Sequence, residues 1–355
     1  MDNLSVLRLA LIFSGCFLGA GYVSGQEMWQ YFGSFGLPGY AGLAAAMLLI
    51  FLFGVMVIRL AQLTGLEEAD RLMLPGDWPL LRIVIAVLEL IMMFAVVSVM
   101  TAGVGALLEQ LFSLSYVVGS ILFSLLVLLT ALSGLKGVAS AFSVSAPLLV
   151  GITVIFGLIS LLRGGNAVQS VPAESNRLLG SFLGAAINFA SYNSFMTVAI
   201  LAPFGRFVKK RRTTYLGIGL GTALIVLVAL SVLAALSRFP EATLQELPML
   251  FVASSFSSFG SYVYAFLLAA AMFGTALSSF VGAVHYLSEK FARIRTHYRS
   301  SCVLFCLVTF AASSFGFGDL ISVLYPLFGY CSIAFLVLMS VNFAVQVRKK
   351  RKQEP

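Results

Sequence analysis

The stretch "FLGAGYVSGQEMWQYFG", Phe17 to Gly33, sets four glycines and a Gln-Glu pair inside what otherwise reads as an apolar membrane helix. Gly19, Gly21 and Gly25 have no side chains to shield the backbone and tolerate dihedrals that a helix does not use, so the chain can unwind there. Unwound backbone deep in a bilayer is tolerable only where it lines a protein cavity, because lipid cannot satisfy its amides and carbonyls. One reading of the stretch is therefore a binding site. The other is that Gly15, Gly19, Gly21 and Gly25 form small-xxx-small faces for close helix packing.

The rest of the sequence supplies the membrane. Of 355 residues, 60% are hydrophobic and 10% charged, with a mean hydropathy of +1.02, against roughly 25% charged in a soluble domain. Unbroken apolar runs such as Tyr40 to Leu60, Tyr116 to Leu132, Val138 to Leu162 and Thr222 to Leu236 suit helices crossing a hydrocarbon core of about 30 Å and exclude a barrel of alternating strands. The first run lacks a basic n-region and contains Gln26 and Glu27, so it reads as mature chain rather than a signal peptide. The pattern predicts an all-α integral membrane protein with about ten spans: 5–33, 39–62, 79–107, 114–133, 137–163, 178–204, 213–237, 257–288, 299–315 and 318–347. These form one domain over 1–355, with five-helix halves at 5–163 and 178–347 and a basic tail at 348–355.

Charge supports that count. Of the 22 Lys and Arg residues, all but Arg163, Arg177 and Arg238 fall on one side if both termini are cytoplasmic, with clusters at "RFVKKRR" (206–212), "KFARIR" (290–295) and "RKKRK" (348–352). That bias is the positive-inside rule, and shifting the count by one helix destroys it. The net charge of +8 then reflects topology and anionic lipid, not nucleic acid. Cys16, Cys302, Cys306 and Cys331 all lie within predicted spans, which suggests neither a disulfide framework nor a zinc site. The "GIGLG" of 217–221 sits inside an apolar helix with no preceding strand and fails the context test for a dinucleotide loop. No Walker motif, soluble ATPase segment or Ser/His/Asp arrangement appears, so an enzyme is not expected and any energy comes from a gradient.

A second polar interruption is expected in span six, where "AAINFASYNSFMTVAILAPFG" (185–205) clusters Asn188, Ser191, Tyr192, Asn193 and Ser194. Such side chains can act as glue between helices. Interruptions at corresponding positions of two halves are also the pointer to an inverted-repeat transporter, with discontinuous helices 1 and 6. Together "GAGYVSGQE" (19–27), "MTAGVGALLEQ" (100–110), "GLKGVASAFSVSAPLLV" (134–150), "FASYNSFMTVAILAPFG" (189–205) and "LYPLFGY" (324–330) resemble the YkvI-type bacterial membrane proteins, a branch of the amino acid/polyamine/organocation transporter superfamily. The resemblance covers nearly the whole chain, with Tyr22 and Val23 departing from the family's more usual "GAGFASGQE". It implies a LeuT-like fold of five plus five helices and leaves the substrate open.

Breaking a helix exposes amides at one new end and carbonyls at the other, with partial charges of roughly half an electron. A zwitterionic amino acid would satisfy both, its carboxylate toward amides near Gly21 and Gly25 and its ammonium toward carbonyls of the other half-helix, with Gly19, Ser24, Asn188, Tyr192 and Asn193 completing the candidate substrate site. For the coupling ion two readings stay open. In span eight "MFGTALSSFVGAVHY" (272–286) carries Thr275, Ser278 and Ser279. The superfamily resemblance implies a Na⁺ site at Ser278 and Ser279 with carbonyls of the first break around Ala20, although hydroxyls in membrane helices routinely bond their own preceding turn. Lys136 lies at the cytoplasmic start of span five, so that span supplies no intramembrane ammonium in place of the cation. Glu27 after the break and Glu89 within span three point instead to protons, since an intramembrane carboxyl is costly unless neutral or paired.

Between spans, Glu241 to Ala253 is expected to form a short helix capping the outer vestibule, and 64–78 an amphipathic surface helix. His285 reads as packing or interfacial. The chain is thus expected in the bacterial inner or plasma membrane as a secondary transporter of a small polar solute, with no cofactor beyond Na⁺ or H⁺ and with lipid as its surroundings. A small-molecule sensor on the same fold, relying on partner chains for output, is the alternative.

Overall fold

A computed structural model describes residues 4–133, 145–162 and 176–353. Lys136, most of the 164–177 connection and the last two residues of the basic tail lie outside the described residues. Within them the chain is helical and no strand occurs. Leu37–Thr64, Pro79–Phe112, Phe182–Phe207, Arg211–Arg238, Ser258–Lys290 and Phe317–Lys350 are long and apolar enough to cross a membrane, and Val6–Phe17, Tyr116–Leu132, Pro147–Leu162 and Tyr298–Ser313 are shorter apolar helices. Large apolar side chains line outward faces, as at Leu80, Ile83, Val87 and Ile91 of one helix, which is the arrangement that lipid rather than water rewards.

The first span consists of three pieces: α1 (Val6–Phe17), α2 (Ala20–Val23) and α3 (Gln26–Tyr31). Ser5 caps α1 by accepting from Arg8 N–H at 3.3 Å. α4 (Leu37–Thr64) carries Pro38 in its first turn and ends at left-handed Gly65, the usual proline-in, glycine-out punctuation. α5 is only Ala69–Met73. The surface helix expected over 64–78 is cut to five residues because Pro75 and Gly76 follow at once and prevent its extension.

α6 (Pro79–Phe112), α7 (Tyr116–Leu132) and α8 (Ser145–Leu162) precede α9 (Phe182–Leu201), α10 (Arg211–Arg238), α11 (Pro248–Phe256) and α12 (Ser258–Lys290). The short α13 (Ala292–Thr296), α14 (Tyr298–Ser313) and α15 (Phe317–Gln353) complete the chain. The cap expected over Glu241 to Ala253 is two elements, a 3₁₀ turn at Pro240–Leu244 and then α11. Helix restarts at Pro248, whose ring sets φ for a first turn and whose missing N–H cannot continue the previous one. α1 packs on α10, α4 on α9, α6 on α12, and α9 on α15, so the broken span and α9 lie inside the bundle.

Span six is not discontinuous. α9 runs unbroken through Asn188, Tyr192 and Ser194 and ends at Leu201 in a 3₁₀ turn containing Pro203. Three of its polar side chains bond back to its own helix: Ser191 Oγ donates to Ile187 O (2.7 Å), Asn193 Nδ2 to Phe189 O (3.0 Å) and Thr197 Oγ1 to Asn193 O (2.8 Å). Back-bonding of this kind accommodates a polar side chain without opening the ladder.

Candidate substrate-binding site

The broken span is interrupted twice, with one helical turn between. At Leu18 the backbone leaves the helix, with ψ of 53°, and at Gly19 it is extended, with ψ of 174°. At Gly25 φ is +92°, the left-handed region that favours glycine. Ala20 and Gly21 are the first residues of α2, so their amides precede the intrahelical ladder. The carbonyls beyond them are engaged. Gly21 O accepts from Ser24 Oγ (2.9 Å), Val23 O from Tyr264 Oη of α12 (2.6 Å), and Ser24 O from Met249 N of α11 (2.8 Å).

A side-chain acceptor at the break is Glu27. Its side chain turns back along the chain until Oε1 would meet a Cβ on Gly21 at 2.1 Å, and Oε2 accepts from Tyr192 Oη of α9 at 2.6 Å. A bare Gly21 is thus the condition for the carboxyl to lie where it does. Around it the rings of Tyr31, Phe189, Tyr192 and Tyr325 form a continuous cluster, with centroids 5.3 Å apart for Tyr31–Phe189, 5.9 Å for Tyr31–Tyr192 and 5.1 Å for Tyr192–Tyr325. Glu27 is 6% exposed, Asn188 and Tyr31 fully buried.

α15 closes the site, and here the sequence reading missed a second irregularity. Pro326 lies inside the helix, which orphans the carbonyl four residues earlier. That carbonyl, Ser322 O, accepts from Asn176 Nδ2 at 2.8 Å. Asn188 Nδ2 donates to Pro326 O (2.8 Å) while its Oδ1 accepts from Tyr31 Oη (3.1 Å), and a Cβ on Gly329 would come within 2.1 Å of that amide. Pro326 and Gly329 therefore create the notch that Asn188 fills. The signal was present in "LYPLFGY", a proline and a glycine three residues apart within an apolar run.

At one mouth of the bundle three side chains converge on Gly318 of α15. Its N–H donates to Glu246 Oε2 (2.5 Å), its carbonyl accepts from Gln30 Nε2 (3.1 Å), and Gln26 Nε2 would touch a Cβ there at 2.6 Å. This ties α3, the segment before α11, and α15 together.

The structure thus brings Gly21, Glu27, Asn188 and Tyr192 into one cluster. Ser24 and Gly25 belong to the same break, held by α11. Gly19 has open space where a Cβ would stand. The hydroxyls expected for a cation lie elsewhere on α12: Thr275 donates to Ala271 O (3.0 Å), Ser278 is exposed and donates to Gly274 O (2.8 Å), and Ser279 is half-buried. Their remaining lone pairs suit a hard cation. Ala20 O accepts from Ser24 N (2.9 Å). The hydrogen bond joining α2 to α12 is made by Tyr264, about 21 Å along the helix from Ser278 at 1.5 Å per residue. Glu89 is apart from the break, on α6 two turns beyond Arg82, which pairs with Asp70 at 2.6 Å; its Oε1 is buried with no hydrogen-bond partner.

Comparison with known proteins follows this geometry. A family model described as branched-chain amino acid transport protein matches residues 207–354. The chain is 25% identical to the membrane protein YkvI of Bacillus subtilis (strain 168) over 338 residues, 94% of each chain. It is 29% identical to the protein YyaD of the same organism over 355 residues, 94% of this chain and 95% of that one. Among solved structures, MhsT in complex with L-phenylalanine superposes with a TM-score of 0.56 at 19% identity, over 97% of this chain and 89% of that one. The fold shared with MhsT is LeuT-like, and the apolar helices long enough to cross a membrane fit a multi-pass membrane protein. In sequence the chain is similar to YkvI over nearly its whole length.

Proposed function

We propose that the protein is a secondary transporter of an amino acid or related zwitterion, working by alternating access about the α1–α3 break with Na⁺ or H⁺ as coupling ion. The observation that carries this reading is the buried Glu27–Tyr192 contact between the broken span and α9, because irregular backbone and an intramembrane carboxyl are both costly unless they serve a solute path. The substrate class draws support from the branched-chain amino acid description of the matching family model and from the L-phenylalanine held by MhsT. Among the described residues, the six long and four shorter apolar helices agree with ten crossings in two five-helix halves, and the basic clusters with cytoplasmic termini.

Labelled L-leucine and L-phenylalanine, supplied to proteoliposomes under an imposed Na⁺ or pH gradient, test the proposal. Accumulation above the external concentration is expected with one gradient and not without it. Binding with no uptake under either gradient would transfer the chain to the sensor class. In the Na⁺ arm, if Ser278 and Ser279 hold the ion, Na⁺ but not K⁺ stabilises the detergent-solubilised protein by about 2.7 kcal/mol at 100 times its dissociation constant, and Ser278→Ala with Ser279→Ala removes that increment.

A further inference from the structure

Glu27 is charged chemistry without a charged partner. Tyr22 of α2, Tyr31 of α3, Tyr192 of α9 and Tyr325 of α15 are the titratable groups that face it. α10 and α11 bring Leu233, Leu236, Pro248 and Met249 to the same region, packed against Gly33 and Gly25. Among the described residues no Lys, Arg or His pairs with the Glu27 carboxylate, and Tyr192 donates to its Oε2. Oε1 lies against Gly21. A carboxylate buried without a counter-charge is strongly disfavoured, so this group holds either a proton or a cation. The surrounding tyrosine and phenylalanine rings present the faces and oxygens that suit an organic ammonium, by cation–π attraction and hydrogen bonding.

Resting on the transport reading above, we propose that Glu27 is the counter-ion for a primary ammonium group of the solute, taken up beside Gly21 and under the rings of Tyr31, Tyr192 and Tyr325. The carbonyls of Gly21, Val23 and Ser24 beyond the break are already engaged, and a carboxylate, unlike a carbonyl, offers an ammonium a full opposite charge. Binding is a charge-conserving exchange: the ammonium forms an ion pair with the carboxylate and the proton that Glu27 held is released. Gly21 matters because any side chain there displaces Oε1.

Calorimetric titration of the purified full chain tests this with three probes of matched carbon skeleton: L-leucine, 3-methylbutylamine, which lacks the carboxylate, and 4-methylpentanoate, which lacks the amine. Both amines are expected to bind and the acid to fail. Glu27→Gln, close in shape, should weaken both amines at least tenfold, while Tyr192→Phe should keep the preference for amines. In wild-type protein, titration at one pH in phosphate and in Tris should show a proton released for each amine bound, a readout independent of whether any variant folds. Tight binding of 4-methylpentanoate, unchanged amine affinity in Glu27→Gln, or no proton release would overturn the proposal. Binding of 3-methylbutylamine but not L-leucine keeps it and removes the amino acid substrate; leucine binding indifferent to Glu27→Gln does the reverse; binding of no probe overturns both.

Discussion

The α1–α3 segment and α9 face each other across the site and look alike in sequence, each a membrane span interrupted by small and polar residues, yet one is broken twice and the other is a continuous helix. The difference lies in what the residues do with backbone groups. Gly25 at φ +92° occupies a conformation that L side chains resist, and Gly21 leaves room for a carboxyl. Ser191, Asn193 and Thr197 of α9 instead return their donors to carbonyls four residues back, which preserves the helix. Polar content inside a span is therefore weaker evidence of a break than glycine at a position where nothing else fits.

The comparison can be broken most severely from the α15 side. Gly329→Ala drives a Cβ into the Asn188 amide and removes its bonds to Pro326 O and Tyr31 Oη; buried polar groups left unpaired cost about 1–3 kcal/mol each. We expect a loss toward the upper part of that range in thermal unfolding, together with loss of solute binding. Gly25→Ala should cost about 1–2 kcal/mol for the left-handed backbone alone, with Met249 Cγ at 3.2 Å and Pro248 Cβ at 3.3 Å adding to it, whereas Gly19→Ala, with open space, should be nearly silent. Equal effects at positions 19 and 25 would erase the distinction between break and packing.

A smaller effect concerns Glu246. Burial pushes its carboxyl above the ordinary value of 4.5, hydrogen bonds from the Gly318 and Phe317 amides oppose that shift, and Asp319 and Glu109 reinforce it. A raised folded-state value means the folded form binds the proton more tightly than the unfolded one, so this group's stabilisation is greatest below 4.5 and is lost as pH climbs from there through the raised value. The melting temperature of wild-type protein should fall more between about pH 5 and about pH 7 than that of Glu246→Gln; parallel curves would count against a buried Glu246. The smallest effect is expected at Asn193, whose amide serves only its own helix: Asn193→Ala should cost about 1 kcal/mol or less and leave solute affinity unchanged, and a large loss of affinity would return this side chain to the substrate.

Membrane embedding and all-helical character were legible in the sequence because they follow from uninterrupted apolar length. The first break was legible because three glycines in seven residues, Gly19 to Gly25, have few other uses. Span six misled because composition does not reveal where a hydroxyl or amide sends its hydrogen bond. The roles of Tyr31, Tyr325, Pro326 and Gly329 were hidden since tyrosines in a membrane span read equally as interface or core, and the Pro-Gly notch acquires meaning only when Asn188, more than a hundred residues away in the chain, is seen to fill it.

If the solute binds where Gly21 leaves room beside Glu27, a larger residue at position 21 excludes it. Equilibrium binding of tritiated L-leucine to purified Gly21→Leu, with its melting temperature recorded alongside, tests it most directly. A folded, membrane-inserted protein that no longer binds leucine is expected, because the new side chain takes the place of the carboxyl and the ammonium; wild-type affinity in Gly21→Leu would place the solute elsewhere.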